Sequence, residues 1–119
     1  MGASAKYPGP PDKLALYEAV VATQTDVPRR GARNPYTSLN GHMTSFLDPT
    51  GSMGLRLPPA DRGDFITSYQ TGLAQQYGST MKEYVVVPSG LLADTDELRT
   101  WFSRSLAWVA SLPPKPTKK

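Results

Sequence analysis

The side chains able to do chemistry fall into four groups. The first is Lys82-Glu83-Tyr84, inside the strand-like run from Met81 to Pro88. Alternation puts Lys82 and Tyr84 on one face and Glu83 on the other, with Met81 and Val85. A carboxylate that shares a face with core residues needs a cationic partner. Arg56, or one of the arginines between residues 29 and 33, can supply it. The set Arg29, Arg30, Arg33, Arg56, Lys82, Glu83 and Tyr84 is therefore a candidate polar cluster, able to bind a small ligand, anchor a partner or serve an enzyme. An ion pair that pins strand register is the weightier reading, because such pairs commonly serve structure.

The second group is the connector Arg29-Arg30-Gly31-Ala32-Arg33, which could hold an anionic group but reads first as a solvated loop. The third is His42, the only histidine, with Ser38 and Ser45 nearby in sequence. Nucleophilic catalysis needs a base within hydrogen-bond reach of the nucleophile. Strict alternation sets Ser45, three residues on, against the opposite face, so no catalytic residue is assigned. The fourth group is the tail Pro113-Pro114-Lys115-Pro116-Thr117-Lys118-Lys119. It offers a polyproline segment and weak, salt-sensitive phosphate contacts, although solvated disorder is the simpler reading. With no cysteine, one histidine and no glycine-rich phosphate loop, neither a metal nor a cofactor is expected.

The net charge of +3 hints at nucleic acid until it is located. Of thirteen Lys and Arg, three are Lys115, Lys118 and Lys119; without them ten basic side chains balance ten acidic ones. The body is neutral, so nucleic-acid binding is an alternative and not the leading expectation. No run approaches the roughly 18 apolar residues of a membrane span. The N-terminus lacks a charged-then-apolar leader, and Lys6 stands where a myristoylation signal needs Ser or Thr. A soluble cytoplasmic protein is expected.

The elements that must position these groups are legible from punctuation. Asn40-Gly41 marks a type I′ hairpin turn, and Asp48-Pro49-Thr50-Gly51 marks a second turn. Together they predict a three-stranded meander over Tyr36 to Leu57. Within it, alternation puts Met43, Ser45 and Leu47 on one face and His42, Thr44 and Phe46 on the other. Arg56 falls opposite Met53, Leu55 and Leu57. Helices on one face would leave Phe46 for a partner or an extra element. A first helix follows Asp12 as N-cap, with Leu14, Tyr17, Val20 and Val21 as its stripe. A second opens at Ala60, carries Phe65, Ile66 and Tyr69, and stops at Gly72. Leu73 to Tyr77 reads as an edge strand. The Val85-Val86-Val87 run reads as a strand covered on both faces. Asp94 and Glu97 form a capping box for a last helix with Leu98, Trp101, Phe102, Ser105, Val109 and Leu112 on one face. The expectation is a two-layer α+β domain, α-β-β-β-α-β-β-α, with a five-stranded antiparallel sheet and helices packed on it. It spans residues 12–112, between a disordered arm (1–11) and the Pro/Lys tail (113–119).

The stretches PYTSLNGHMTSFL, LRLP, GSTMKEYVVVP and LLADTDELRTWFSRSLAWV resemble the TfoX N-terminal domain and its stand-alone relatives over residues 29–112. The family's R-x-M-F-G-G-like entry to the sheet is replaced by Arg30-Gly31-Ala32-Arg33-Asn34-Pro35, which marks a divergent member. The resemblance implies the same element order, a regulatory role and no known catalytic residue. The functional expectation is a non-catalytic domain that binds a protein, a second copy of itself included, through the sheet face around Phe46. A small-ligand site or enzyme at the polar cluster is the alternative.

Overall fold

Two turns set the sheet. Asn40 and Gly41 take φ of 55° and 81°, both positive as a type I′ turn requires, and they pair Leu39 with His42 and Ser38 with Met43. In the second turn Gly51 takes φ of 91°. There Asp48 Oδ1 accepts from the backbone N–H of Thr50 (2.9 Å) and Ser52 (3.0 Å).

The computed structural model describes residues 6–24, 27–76 and 78–114. The elements are α1 (Pro11–Val21), β1 (Tyr36–Leu39), β2 (His42–Leu47), β3 (Met53–Arg56), α2 (Pro59–Tyr69), β4 (Leu73–Gln76), β5 (Ser79–Val87), the single turn α3 (Ser89–Leu92) and α4 (Thr95–Ser111). All strand pairs are antiparallel, in the order β1-β2-β3-β5-β4. The α+β architecture and the order read from the sequence hold, with α3 added ahead of α4. Among the described residues no helix is long and apolar enough to cross a membrane.

Helix boundaries follow local chemistry, with two differences from expectation. α1 and α2 each open on a proline, Pro11 and Pro59, where the missing N–H is an orphan in any case. Asp12 is therefore in the first turn of α1 and not its cap. α2 ends at Gln70, which takes the left-handed conformation at φ 53° in place of Gly72. Asp94 caps α4 as expected, its side chain accepting from the Glu97 N–H at 3.2 Å.

The core lies between sheet and helices. Leu47, Met53, Leu55, Leu57, Val85 and Val87 meet Tyr17 and Val20 of α1, Phe65 of α2, and Leu98 and Phe102 of α4. Val86 faces the other way and is half-buried, so the valine run is covered fully on one face only. Of the arm expected over residues 1–11, residues 1–5 lie outside the described residues. The remainder packs on the second turn: Tyr7 Oη donates to the Asp48 carbonyl, and Pro10 and Lys13 cover Gly51. The lysines of the C-terminal tail also lie outside the described residues.

Two irregularities decide what the far face of the sheet looks like. In β2, Thr37 pairs with Ser45 while Ser38 pairs with Met43, which leaves Thr44 as an extra residue. Such a bulge resets alternation. Thr44 turns in with Ser45, and Met43 joins Tyr36 and Phe46 on the far face, contrary to the strict alternation the sequence suggests. In β5, Leu73 pairs with Val85 but Ala74 pairs with Met81, so Lys82, Glu83 and Tyr84 have no partner on β4. This wider break lets β4 fold over the far face. Ala74, Gln75 and Gln76 come to lie beside Phe46, Gly54 and Ser52. Phe46, expected to await a partner, is thereby left only 9% exposed.

The Phe46 ring lies over Gly54, where an added Cβ would stand 2.3 Å from two ring carbons. The backbone of Gly54 is ordinary, so its role is space. Gly54→Ala is expected to destabilise the fold by about 1–3 kcal/mol through overpacking. Urea unfolding of a Gly54/Phe46 double-mutant cycle checks this. In a Phe46→Ala background the same substitution should cost almost nothing, and an unchanged cost there would place the strain elsewhere.

Candidate functional site

The seven residues of the polar cluster do not form one site. Arg56, Glu83 and Tyr84 come together, whereas the connector arginines and Lys82 do not join them. Arg56 Nε and Nη2 lie 2.7 and 2.5 Å from Glu83 Oε1. Their pairing occurs at the end of β3, where Pro58 turns the chain away and the long arginine side chain can reach across. The guanidinium also stands 5.9 Å from the Tyr84 ring centroid and 5.5 Å from that of Trp108 on α4. Tyr84 Oη donates to the Met43 carbonyl at 2.8 Å, and its ring is 5.8 Å from Phe46. Burial raises the Tyr84 pKa, against the lowering field of Arg56. The trio therefore braces β5, β2 and α4 around the back of Phe46.

The remaining members are dispersed. Arg29 is held by Glu18 of α1, with Nη2 2.6 Å and Nε 3.1 Å from Oε2. The backbone of Arg30 exchanges both hydrogen bonds with Tyr36 on the outer edge of β1, and its side chain is exposed, as are those of Arg33 and Lys82.

Hydroxyl groups gather instead on the helix side of the β2 bulge. Tyr17 Oη is 2.8 Å from Ser45 Oγ, Ser45 Oγ is 2.6 Å from Thr37 Oγ1, and Thr37 Oγ1 is 2.5 Å from Thr44 Oγ1. All four residues are fully buried. Burial is also the main cause that pushes the Tyr17 pKa up to about 12. These hydroxyls satisfy one another, and none has an imidazole or carboxylate as a hydrogen-bond partner. His42 instead donates its Nε2–H to the Pro113 carbonyl, 2.9 Å away at the end of α4. Among the described residues, no three of His, Asp and Glu converge as metal ligands would.

The best-formed concavity is one that sequence reasoning missed. A cleft of about 400 Å³ lies between Gln76 and Met81, of β4 and β5, and the outer side of β1 and β2. Tyr36, Met43 and Phe46 come from β1 and β2, Gln76 and Met81 from β4 and β5, and Asn34, Pro35 and Pro49 from the flanking loops. The size falls within the range of small-molecule sites, and an apolar lining with a few polar groups is the usual composition. Asp48 is the one carboxylate in the lining, and its Oδ1 is already taken by the donors of its own turn. Met43 reaches the cleft only through the bulge at Thr44, and Met81 only through the break in β5. No residue pattern announces either one.

Two outcomes test this geometry. Glu83→Gln should cost less than about 1 kcal/mol, since its carboxylate is half-exposed. Arg56→Ala should cost about 1–2 kcal/mol, because it also removes the stacking between Tyr84 and Trp108. Equal losses in chemical denaturation would refute the stacking role. For Tyr17, the folded phenol at about 12 lies above its ordinary value of 10.0. Its contribution is therefore complete below pH 10 and is lost as pH rises from 10 towards 12, a change of about 2–3 kcal/mol. Tyr17→Phe should flatten that part of the stability–pH curve. A variant with the same alkaline slope as the parent would contradict the assignment.

No family model, curated protein or solved structure matches this chain.

Proposed function

We propose that this chain is a non-catalytic, cytoplasmic binding domain with a regulatory role, of the kind its resemblance to the TfoX N-terminal domain implies, and that its partner is a protein. One observation carries the reading: the mainly apolar cleft of about 400 Å³ on the far face of the sheet. The chemistry-bearing groups elsewhere in the fold support binding without catalysis. Arg56 is committed to Glu83, His42 to a helix end, and the buried hydroxyls to one another. Apolar side chains buried in a desolvated pocket are what carry affinity in protein interfaces. A free small molecule is the second reading, and the volume of the cleft favours it.

Selection from a random peptide library against the purified chain tests the proposal. Specific binders are expected, and a Met43→Asp/Met81→Asp variant should lose at least tenfold in affinity for them, about 1.4 kcal/mol or more. Binders that hold the variant as tightly, or no specific binder at all, would sink the reading. Sedimentation equilibrium of the chain alone shows whether a second copy is that partner.

A further inference from the structure

We infer that the closed loop from Arg30 to Tyr36 docks an acidic segment of a partner protein, whose carboxylates are received by Arg30 and Arg33. The inference rests on the protein-binding reading above and names a second contact on that partner, apart from the cleft. The loop is held in one conformation by three devices. Arg30 N–H donates to the Tyr36 carbonyl at 2.9 Å, and Tyr36 N–H donates to the Arg30 carbonyl at 3.0 Å, which ties the two ends. Gly31 takes φ of 76°, and an added Cβ there would stand 2.2 Å from the Asn34 carbonyl oxygen and 3.0 Å from the Tyr36 ring. Glycine alone meets both demands. Arg29 Nη1 donates to the Gly31 carbonyl at 2.7 Å, and Glu18 of α1 holds Arg29 in turn. A connector that only leads from α1 to the sheet needs neither the brace nor such a glycine.

What the loop displays is positive charge. Arg30 and Arg33 are exposed, and the ion pairs among the described residues involve other arginines: Arg29, Arg56 and Arg104. Exposed Lys82 follows Met81, which lines the same cleft as Asn34 and Tyr36. The carboxylate in that lining is Asp48, whose Oδ1 accepts from its own turn. On the other side of the loop, Ala32 shares a hollow of about 480 Å³ with Lys6 and Arg29, and no carboxylate lines it. A guanidinium fork meets a carboxylate in two parallel hydrogen bonds, and a loop already fixed lowers the ordering cost of forming them. The charge is too sparse for a nucleic acid, whose affinity comes from many simultaneous phosphate contacts. Outside the tail lysines the chain carries ten basic and ten acidic side chains. A short run of Asp and Glu suffices to engage two arginines.

The test uses 15N-labelled full-length chain at near-physiological salt. It is titrated with acetyl-Gly-Asp-Glu-Asp-Glu-Gly-amide, with its Asn/Gln counterpart and with a single-stranded oligothymidylate of matching charge. The acidic peptide should move the amide signals of Gly31 and Arg33 saturably. The Asn/Gln peptide and the oligonucleotide should bind at least fivefold more weakly. Arg30→Gln/Arg33→Gln should lower affinity for the acidic peptide at least fivefold. Arg99→Gln on exposed α4, and replacement of Lys115, Lys118 and Lys119 by Ala, should each change it less than twofold. Gly31→Ala keeps every charge but spoils the loop, and should cost at least threefold. Unchanged indole signals of Trp101 and Trp108 show that a variant has kept its fold; if Gly31→Ala disturbs them, the double arginine variant decides.

No saturable shift, or shifts that spare the loop, overturn the inference. So does a neutral peptide that binds as well, or an equal loss from the tail or Arg99 variants. An oligonucleotide as tight as the acidic peptide makes the loop a nucleic-acid contact and also overturns it. If library-selected peptides bind the chain while the acidic peptide leaves the loop unmoved, the protein-binding reading survives and this use of the loop does not.

Discussion

The packing on the far face of the sheet depends on the absence of a side chain at Gly54. Phe46 can lie flat against the sheet because the strand beneath it presents only backbone. A flat Phe46 is low enough for Ala74, Gln75 and Gln76 to pass beside it. Tyr84 then packs against the ring and Arg56 packs against Tyr84. With a larger residue at 54, the ring would stand up into the path of the hairpin. One missing methyl group thus lets a single sheet supply both a helix-covered face and a cover for its other face. A large aromatic residue on that second face would otherwise be an exposed liability.

The two breaks in strand pairing distribute polarity between the faces. An uninterrupted β2 would send Thr44 outward and Met43 inward. The extra residue reverses both, so hydroxyls collect beneath α1 and a thioether turns towards the cleft. Inside, Thr37, Thr44, Ser45 and Tyr17 would each be an expensive buried group if alone. Bonded together they are satisfied, and Tyr17 draws α1 onto the sheet at a fixed point. Outside, the break across Lys82–Tyr84 does two things: it frees β4 to curl, and it leaves Glu83, in the middle of β5, without a β4 partner where Arg56 at the end of β3 can reach it. The polar residues that look most like a site in the sequence are therefore the hinge of the curl.

This explains how far the sequence can be read. The turns at Asn40-Gly41 and Asp48–Gly51, the capping box at Asp94 and the apolar stripe of α4 act through local backbone chemistry. Neighbouring residues suffice to specify them, and the β1-β2-β3 part of the sheet follows from the two turns, whereas β5 joins β3 across α2 and β4. Gln70 in place of Gly72 at the end of α2 is a local choice that residue preference alone does not make. The bulge at Thr44 is different in kind. Nothing in His-Met-Thr-Ser-Phe-Leu marks which residue will be skipped, because the choice is made by what each face can bury. The curl of β4–β5 is more distant still, since it depends on Gly54 lying under Phe46. The cleft inherits both uncertainties, whereas the Arg56–Glu83 pair was accessible as a charge-balance argument: a carboxylate in the strongest strand required a cation.

The same layout bears on the binding role proposed for the cleft. Catalysis asks for a polar group that is both poised and unsatisfied, next to space for a substrate. Here the two requirements are met in different places. The buried hydroxyls are bonded to one another, and the cleft has space but is walled mainly by rings, prolines and thioethers, with Asn34, Asp48 and Gln76 as its polar members. Its back is held by hydrogen bonds and stacking that run through Tyr84 and Arg56 to α4, while its front is a hairpin tip attached through an irregular stretch of β5. A firm wall facing adaptable methionines keeps the ordering cost of binding low and still tolerates variation in what is bound. That combination is what the proposed binding role draws on.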